Sequence, residues 1–529
     1  MLDGISMTTT GGSVISALLV FVLAAPALTA MVAFAVGRGR ARLVGGLGAL
    51  TAGVGFVGSA VLAVRAAAGD VASLSINTAS GHSVLAVRAD QVAVVLLLLV
   101  FGVSAIVQTF AMRYLAEDAR AGWFAAGAGL LTAGSATLMT SGTLVVLAIS
   151  WTVAGVALCL LLATYWHLPS ARDGVRRTAT AFLIGDLALW AAVAVVAARQ
   201  GTVDLGALQS ESLGGPIIAV VALLVVVAAL SRSAQMPFHR WLPATLAAPT
   251  PVSALLHAGV VNAGGVLLIK LSFLVTAFGL AQAATIVAGV ATLGYGAVIM
   301  LVKPDIKGAL VHSTMAQMGF MILTCGLGLW AAAVFHLVAH GFYKATLFLS
   351  SGSAIAYRRR KTALPALQLS AAGRIRAMIP AVLLPAAALY LAVIVIPMGP
   401  GDHTAEWALL LFAWVTGAAA TMGWLARRPG LGGVLTAAAF LATASLGYVW
   451  LVATVSGFMA PALPVAALPA TATWLITGAT LLTLGALALV RWAPGDGRLQ
   501  NVLYARALSA GHIAPPTSSL PTELTGAHS

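Results

Sequence analysis

His336, His340 and Lys344 follow one another at four-residue spacing in the run Phe335-His336-Leu337-Val338-Ala339-His340-Gly341-Phe342-Tyr343-Lys344. On a helix this spacing spreads the three over about 80° of one face and about 12 Å of axis. An imidazole accepts a proton on one nitrogen and donates from the other, and desolvation makes the neutral form of a lysine accessible, so such a stripe suits a proton relay. Two packing histidines and a snorkelling lysine are the rival reading. A His-x-x-x-His metal site would need an acid or thiol nearby in sequence, and none is there.

Further ionisable residues fall inside apolar runs. Asp186, in Phe182-Leu183-Ile184-Gly185-Asp186-Leu187-Ala188-Leu189-Trp190, is the only acid placed well inside one. His257 lies about two turns into a helix that starts at Pro249-Thr250-Pro251. His312 follows Asp305-Ile306-Lys307 closely and reads as a residue near a mouth. Lys270 ends a glycine-bearing helix, where reaching an interface is as good a reading as function. Arg232 opens the stretch Ser231-Arg232-Ser233-Ala234-Gln235-Met236-Pro237, whose proline and small hydroxyls suggest a broken helix. Transporters place ion sites at such breaks, since irregular backbone at membrane depth is tolerated only when buried in protein or lining a wet cavity. An ordinary polar loop carrying Arg232, His239 and Arg240 is the alternative. Each ionisable group costs on the order of 2.5–3.5 kcal/mol to insert, so all are functional candidates.

The elements that position them are membrane helices. The 529 residues are 60% hydrophobic and 8% charged, against about half and about a quarter in soluble domains. Apolar segments of span length lie near 13–37, 43–67, 90–112, 122–141, 143–164, 179–198, 214–232, 235–248, 252–276, 281–302, 308–327, 329–351, 378–397, 405–425, 431–454 and 470–491. The pair 214–232 and 235–248 reads as one broken span. The expected fold is an all-α polytopic membrane protein of about 14–16 transmembrane helices. It divides into N-terminal helices (1–112), a core (113–400), C-terminal helices (401–491) and a tail (492–529).

The net charge of +14 follows this topology. Arg38, Arg40, Arg42, Arg113, Arg120, Arg172, Arg176, Arg177, Lys303, Lys307, the cluster Arg358 to Lys361, Arg374, Arg376, Arg427 and Arg428 fall in alternate connections. Only Arg65, Arg88 and Arg199 fall on the other side. That is a positive-inside pattern with contact to anionic lipid, and it excludes a nucleic-acid-binding domain. It places the N-terminus outside and the C-terminus in the cytoplasm. The first apolar run reads as a retained helix rather than a cleaved signal. Cys159 and Cys325 sit in apolar stretches without metal-site spacing and read as buried small hydrophobes.

Several of these motifs resemble one family. Ser233-Ala234-Gln235-Met236-Pro237, Ala248-Pro249-Thr250-Pro251-Val252-Ser253-Ala254-Leu255-Leu256-His257-Ala258, Asp305-Ile306-Lys307 with Ser313-Thr314-Met315-Ala316-Gln317-Met318-Gly319, and Phe335 to Lys344 are similar to the antiporter-like subunits of complex I and of Mrp cation/proton antiporters. The resemblance implies two inverted five-helix repeats, each with a broken helix, around a hydrated proton axis. It assigns Arg232 the place of the family's broken-helix lysine, and His257, His336, His340 and Lys344 its central relay. The chain departs from the family twice. The glutamate of a Trp-Glu-x-x-Gly helix is Thr152 here, in Trp151-Thr152-Val153-Ala154-Gly155, and Asp186 is the hypothesis for the missing carboxylate. No later lysine helix matches between Ile379 and Pro400.

These departures, with Met236-Pro237-Phe238-His239-Arg240-Trp241-Leu242 and Ser350-Ser351-Gly352, most resemble the DabB family, membrane subunits of bacterial inorganic-carbon transporters. That resemblance implies a transporter subunit of the bacterial inner membrane, not an enzyme, with no cofactor and no catalytic residue of its own. Zinc and CO2 hydration would belong to a DabA-like partner similar to β-carbonic anhydrases, and H+ or Na+ would pass through this chain. The alternative is a complex I or Mrp subunit with that family's own partners.

Overall fold

The computed structural model describes residues 6–10, 12–37, 39–78, 83–210, 214–352, 371–398, 403–463, 470–492 and 498–511. Arg38, the basic cluster 358–361 and the tail beyond Gly511 lie outside the described residues. Three short strands, β1 (Ser6–Thr10), β2 (Ala72–Asn77) and β3 (Ser83–Ala89), form an antiparallel sheet in the order β1-β2-β3. The helices are α1 (Ser13–Val36), α2 (Ala41–Ala67), α3 (Gln91–Tyr114), α4 (Ala121–Thr140), α5 (Leu144–Leu162), α6 (Pro169–Gln200), α7 (Leu205–Ser210), α8 (Pro216–Arg232), α9 (Thr250–Ala258), α10 (Ala263–Lys270), α11 (Ser272–Ala277), α12 (Gly279–Val302), α13 (Ile306–Gly326), α14 (Trp330–Leu349), α15 (Ala371–Val395), α16 (Thr404–Arg427), α17 (Leu431–Met459), α18 (Ala470–Trp492) and α19 (Arg498–Ala510).

Among the described residues, 11 helices are long and apolar enough to cross a membrane, so the chain is a multi-pass α-helical membrane protein. The expected count near 15 also included α4, α8, α13 and α18, which are helical and lie in expected segments. Three local expectations need correction. The segment 235–248 is a 3-10 run, Phe238–Ala247, rather than a second α-helical half, because Pro237 and Pro243 remove backbone donors. The segment 252–276 is interrupted: α9 stops at Ala258, Gly259 takes φ −120° and ψ −70°, and a 3-10 turn, Val260–Asn262, precedes α10. The three-stranded sheet has no counterpart in the apolar pattern, which predicts helices alone.

The described residues fall into two compact units, those within 1–328, 337–351 and 467–529, and those within 329–336 and 352–466. Small residues set the packing of the first. Gly289 and Gly296 of α12 lie against the backbone of Leu323 and Ala316, and Gly319 of α13 lies against that of Leu293. Without side chains at these points the two backbones approach closely, which is how membrane helices gain contact when lipid is as apolar as they are. This interface fixes the face of α13 that carries His312 and Ser313. In the second unit, α15 contains Pro380 and Pro385, and Gly417 of α16 leaves room for the Pro385 ring. Trp414 Nε1 donates to the Val382 carbonyl at 2.9 Å, supplying a side-chain partner beside the prolines.

Adding a branched side chain at the α12/α13 contact should separate the helices. Gly319→Val is expected to lose about 1–3 kcal/mol, read as a lower unfolding temperature in detergent. Gly294→Ala on α12, with nothing within 4 Å of its added Cβ, serves as the control. Equal unfolding temperatures for both variants would contradict the packing argument.

Candidate functional site

α8 ends at Arg232, where the chain leaves the helix through Ala234 at φ +50°. Several polar groups of this exit find hydrogen-bond partners in the protein. Gln235 N donates to Leu230 O at 3.0 Å, Met236 N to Thr292 Oγ1 at 2.9 Å, Trp241 Nε1 to Ser231 O at 2.9 Å, and Ser233 Oγ to Val261 O at 2.6 Å. Inside a bilayer such internal satisfaction is the condition for irregular backbone.

Arg232 has no exposed surface. Its Nη2 donates to Asp186 Oδ1 of α6 at 2.7 Å and its Nη1 to the Trp151 carbonyl of α5 at 3.1 Å. Trp151 Nε1 donates to the same Asp186 oxygen at 2.8 Å. The guanidinium lies 4.4 Å from the Trp151 ring and 4.1 Å from the Phe182 ring. A planar, permanently charged group with several donors is suited to such a cage, where a carboxylate and two aromatic faces replace its hydration. Gly155 makes the space, since a Cβ there would lie 2.9 Å from the guanidinium nitrogens. The hypothesis that Asp186 faces Arg232 therefore agrees with the geometry.

The second break supplies the centre. Interrupting the helix at Gly259 frees the carbonyls of the preceding turn. Asn262 Nδ2 donates to Ala258 O at 2.9 Å, and His340 Nε2 of α14 donates to His257 O at 3.1 Å. A carbonyl only accepts, so the proton on His340 is on Nε2. His257 is 1% exposed, and its ring stacks on Phe348 at 4.3 Å and 7°. Its Nδ1 has no hydrogen-bond partner among the described residues. A small cavity of about 40 Å³ beside Gly259 is lined by Ser104, Thr132 and Ser135, large enough to hold a water. Ser104 and Thr132 share a 2.7 Å hydrogen bond, and Gln108 Nε2 donates to Ser104 Oγ at 2.8 Å.

One turn beyond His340, the buried Lys344 donates to Ser313 Oγ at 2.5 Å and to Leu310 O at 3.4 Å. His312, adjacent to Ser313, is also buried, with Nδ1 donating to Gly308 O at 2.8 Å. The Tyr295 ring of α12 lies 6.5 Å from that of His312 and 4.9 Å from that of His239 in the 3-10 run.

The structure thus brings His257, His340, Lys344 and His312 onto the facing helices α9, α13 and α14, and pairs Asp186 with Arg232 separately. His336 lies on the part of α14 that belongs to the second unit. Lys270 donates to Ser141 O at 3.0 Å and so ties down the α4–α5 turn. Thr152 accepts from Trp190 Nε1 at 3.2 Å. Ser313, Tyr295, His239 and the Ser104–Thr132 pair were not among the sequence candidates. Ser313 lies in the quoted Ser313-Thr314-Met315 motif and His239 in the quoted Met236-Pro237-Phe238-His239 motif, while Tyr295 and the Ser104–Thr132 pair emerge only in the fold. Among the described residues no group of three His, Cys, Asp or Glu could hold a metal ion.

Comparison with known proteins adds a family to this geometry. The transmembrane family described as NADH:quinone oxidoreductase/Mrp antiporter matches residues 141–427, and the family described as the N-terminus of chain 5 of NADH-ubiquinone oxidoreductase (complex I) matches 76–125. A probable inorganic carbon transporter subunit DabB1 of Halothiobacillus neapolitanus is 38% identical over 285 residues, covering 52% of this chain and 51% of that protein. The probable inorganic carbon transporter subunit DabB of Bacillus subtilis is 35% identical over 272 residues, 50% of this chain and 53% of that one. NADH-quinone oxidoreductase subunit L of Mycobacterium tuberculosis is 32% identical over 313 residues, 58% of this chain and 49% of that one. The matches span about half the length of these relatives. The Mrp complex of Dietzia shares the fold, with a TM-score of 0.62 at 23% identity over 93% of this chain and 59% of that one.

Removing the carboxylate from the cage strands a fully buried guanidinium. Asp186→Ala is expected to cost about 3 kcal/mol, the lower end for breaking a buried pair, because Asp186 keeps some exposure. Asp186→Ala combined with Arg232→Met should recover most of the loss. A double-mutant cycle on unfolding in detergent measures this, and additive losses would mean that the two side chains are not coupled.

Proposed function

Since the chain belongs to the NADH:quinone oxidoreductase/Mrp antiporter transmembrane family, we propose that it is the ion-conducting subunit of an inorganic carbon accumulation system. In this reading protons pass along His257, His340 and Lys344, with His312 toward one mouth. A DabA-like partner uses that flux to drive hydration of CO2 to bicarbonate. Zinc resides on the partner, and this chain does no covalent chemistry. It lies in the bacterial inner membrane with its N-terminus outside and its C-terminus in the cytoplasm, in keeping with the distribution of arginines.

One observation carries the proton reading: two imidazoles and an amine, all buried, follow one another through the helices, with His340 bonded to the His257 carbonyl freed by the break in α9 and Lys344, one turn on, bonded to Ser313 of α13. Nitrogen bases hold and release protons, whereas hard metal cations are bound by sets of oxygen ligands. The line His257–His340–Lys344 consists of bases, and the Asp186 carboxylate of α6 is already engaged by Arg232 and Trp151. Arg232 acts as a fixed positive charge that biases the path rather than as a carrier, since its guanidinium does not readily deprotonate. The names of the two DabB relatives favour carbon accumulation as the coupled process.

The second reading is a subunit of a quinone-reducing or Mrp-type complex, favoured by the subunit L relative. Co-purification from native membrane separates the two. A carbonic-anhydrase-like zinc protein supports the first, and a set of quinone-reductase or Mrp subunits supports the second.

Proton flux into liposomes holding the co-purified complex tests the path itself. Lys344→Ala is expected to slow it by a factor on the order of 100, the scale for losing a positioned proton carrier. Flux equal to the parent's would eliminate Lys344 as a member of the route.

A further inference from the structure

The C-terminal helix α19 packs along α12. Its last carbonyls meet two side chains of that helix and its exit: Tyr295 Oη donates to Ala510 O at 3.0 Å, and Lys303 Nζ donates to Gly511 O at 2.6 Å. Such an end, with several unsatisfied carbonyls and the negative pole of the helix dipole, is where a phenol and an ammonium group bind well. The Tyr295 ring also neighbours both His239 and His312, with ring centroids 4.9 and 6.5 Å away. His312 spends its Nδ1–H on Gly308 O, which leaves Nε2 as the nitrogen able to accept a proton.

We propose that Tyr295 passes protons between His239 and His312, and that α19 holds this link closed by engaging its hydroxyl. A phenol has one O–H. While that hydrogen is directed at Ala510 O, Tyr295 has none to give to His312. When α19 withdraws, protonated His239 gives its proton to the phenol oxygen as the phenol O–H passes to His312 Nε2. Tyr295 is regenerated and one proton has moved from the 3-10 run to α13. This mouth rests on the proton route proposed above and extends it to the surface of the bundle.

The test is proton flux in liposomes bearing the full chain with its co-purified partner. Ala507, 6% exposed on α19, is replaced in Ala507→Glu to dislodge the helix while leaving Tyr295 intact. Flux should rise about tenfold or more, as for release of an open state that is normally a minor population. Lys303→Ala, which loosens the same contact without burying a charge, should shift flux in the same direction. Tyr295→Phe added to Ala507→Glu should return flux to the parent level or below. Parent-level flux in both Ala507→Glu and Lys303→Ala would overturn the closed link. Undiminished flux in the Tyr295→Phe double variant would overturn the role of the phenol. Lys344→Ala is measured alongside: if it alone abolishes flux while α19 variants change nothing, the latch fails and the central route stands. If Lys344→Ala conducts like the parent, the underlying route fails.

Discussion

A guanidinium with no exposed surface, deep in a bundle of membrane helices, depends on the protein for stabilisation that water would otherwise supply. Arg232 finds a carboxylate on α6, a carbonyl on α5 and two aromatic faces. Much of the surrounding architecture follows. Gly155 is small because the guanidinium occupies the space of its side chain. Trp151 is oriented by its own bond to Asp186, so one carboxylate oxygen fixes both the cation and one wall of its cage. The irregular exit after α8 is tolerated because groups from α12, the 3-10 run and the turn before α10 satisfy it, as the bilayer demands.

The same constraint, applied to the break at Gly259, yields the centre of the path. A continuous α9–α10 helix would have used the His257 and Ala258 carbonyls internally. Interrupted, it offers them to His340 and Asn262, and the histidines of two helices are held together by main-chain chemistry rather than by charge. Lys344 is held by a hydroxyl and a carbonyl, with neither partner charged. These groups can therefore change protonation state without breaking an ion pair. The fixed charge is kept apart, in the Arg232–Asp186 cage.

Hydropathy makes the spans legible because an uninterrupted apolar stretch has few other fates. It fails where polar residues are helical for tertiary reasons. α6 begins at Pro169 rather than near 179, since its polar first turns pack through Gly174 against the Ala244 carbonyl. The β1–β2 pairing joins residues such as Thr8 and Ser75, whose partnership no local pattern records. Gly259 sits in an apolar run where a glycine reads as tolerated, so no break is legible there. The Asp186–Arg232 pair is foreseeable by scarcity, with only one acid placed well inside a span rather than near its end. Tyr295 is not, because its neighbours His239 and His312 come from distant points in the chain. The bond of Lys270 to Ser141 O joins residues far apart in the chain and is likewise not legible in the sequence.

A proton path through this bundle requires that its buried nitrogens exchange protons with water. Solid-state 15N NMR of the protein in lipid bilayers can follow Lys344 Nζ and the imidazole nitrogens of His257 and His340 after transfer to D2O. Exchange of all three within the time of sample preparation, while amides in the α12/α13 contact stay protected, is the expected result. Side-chain protons at these nitrogens as slow to exchange as those amides would contradict a proton path through the bundle.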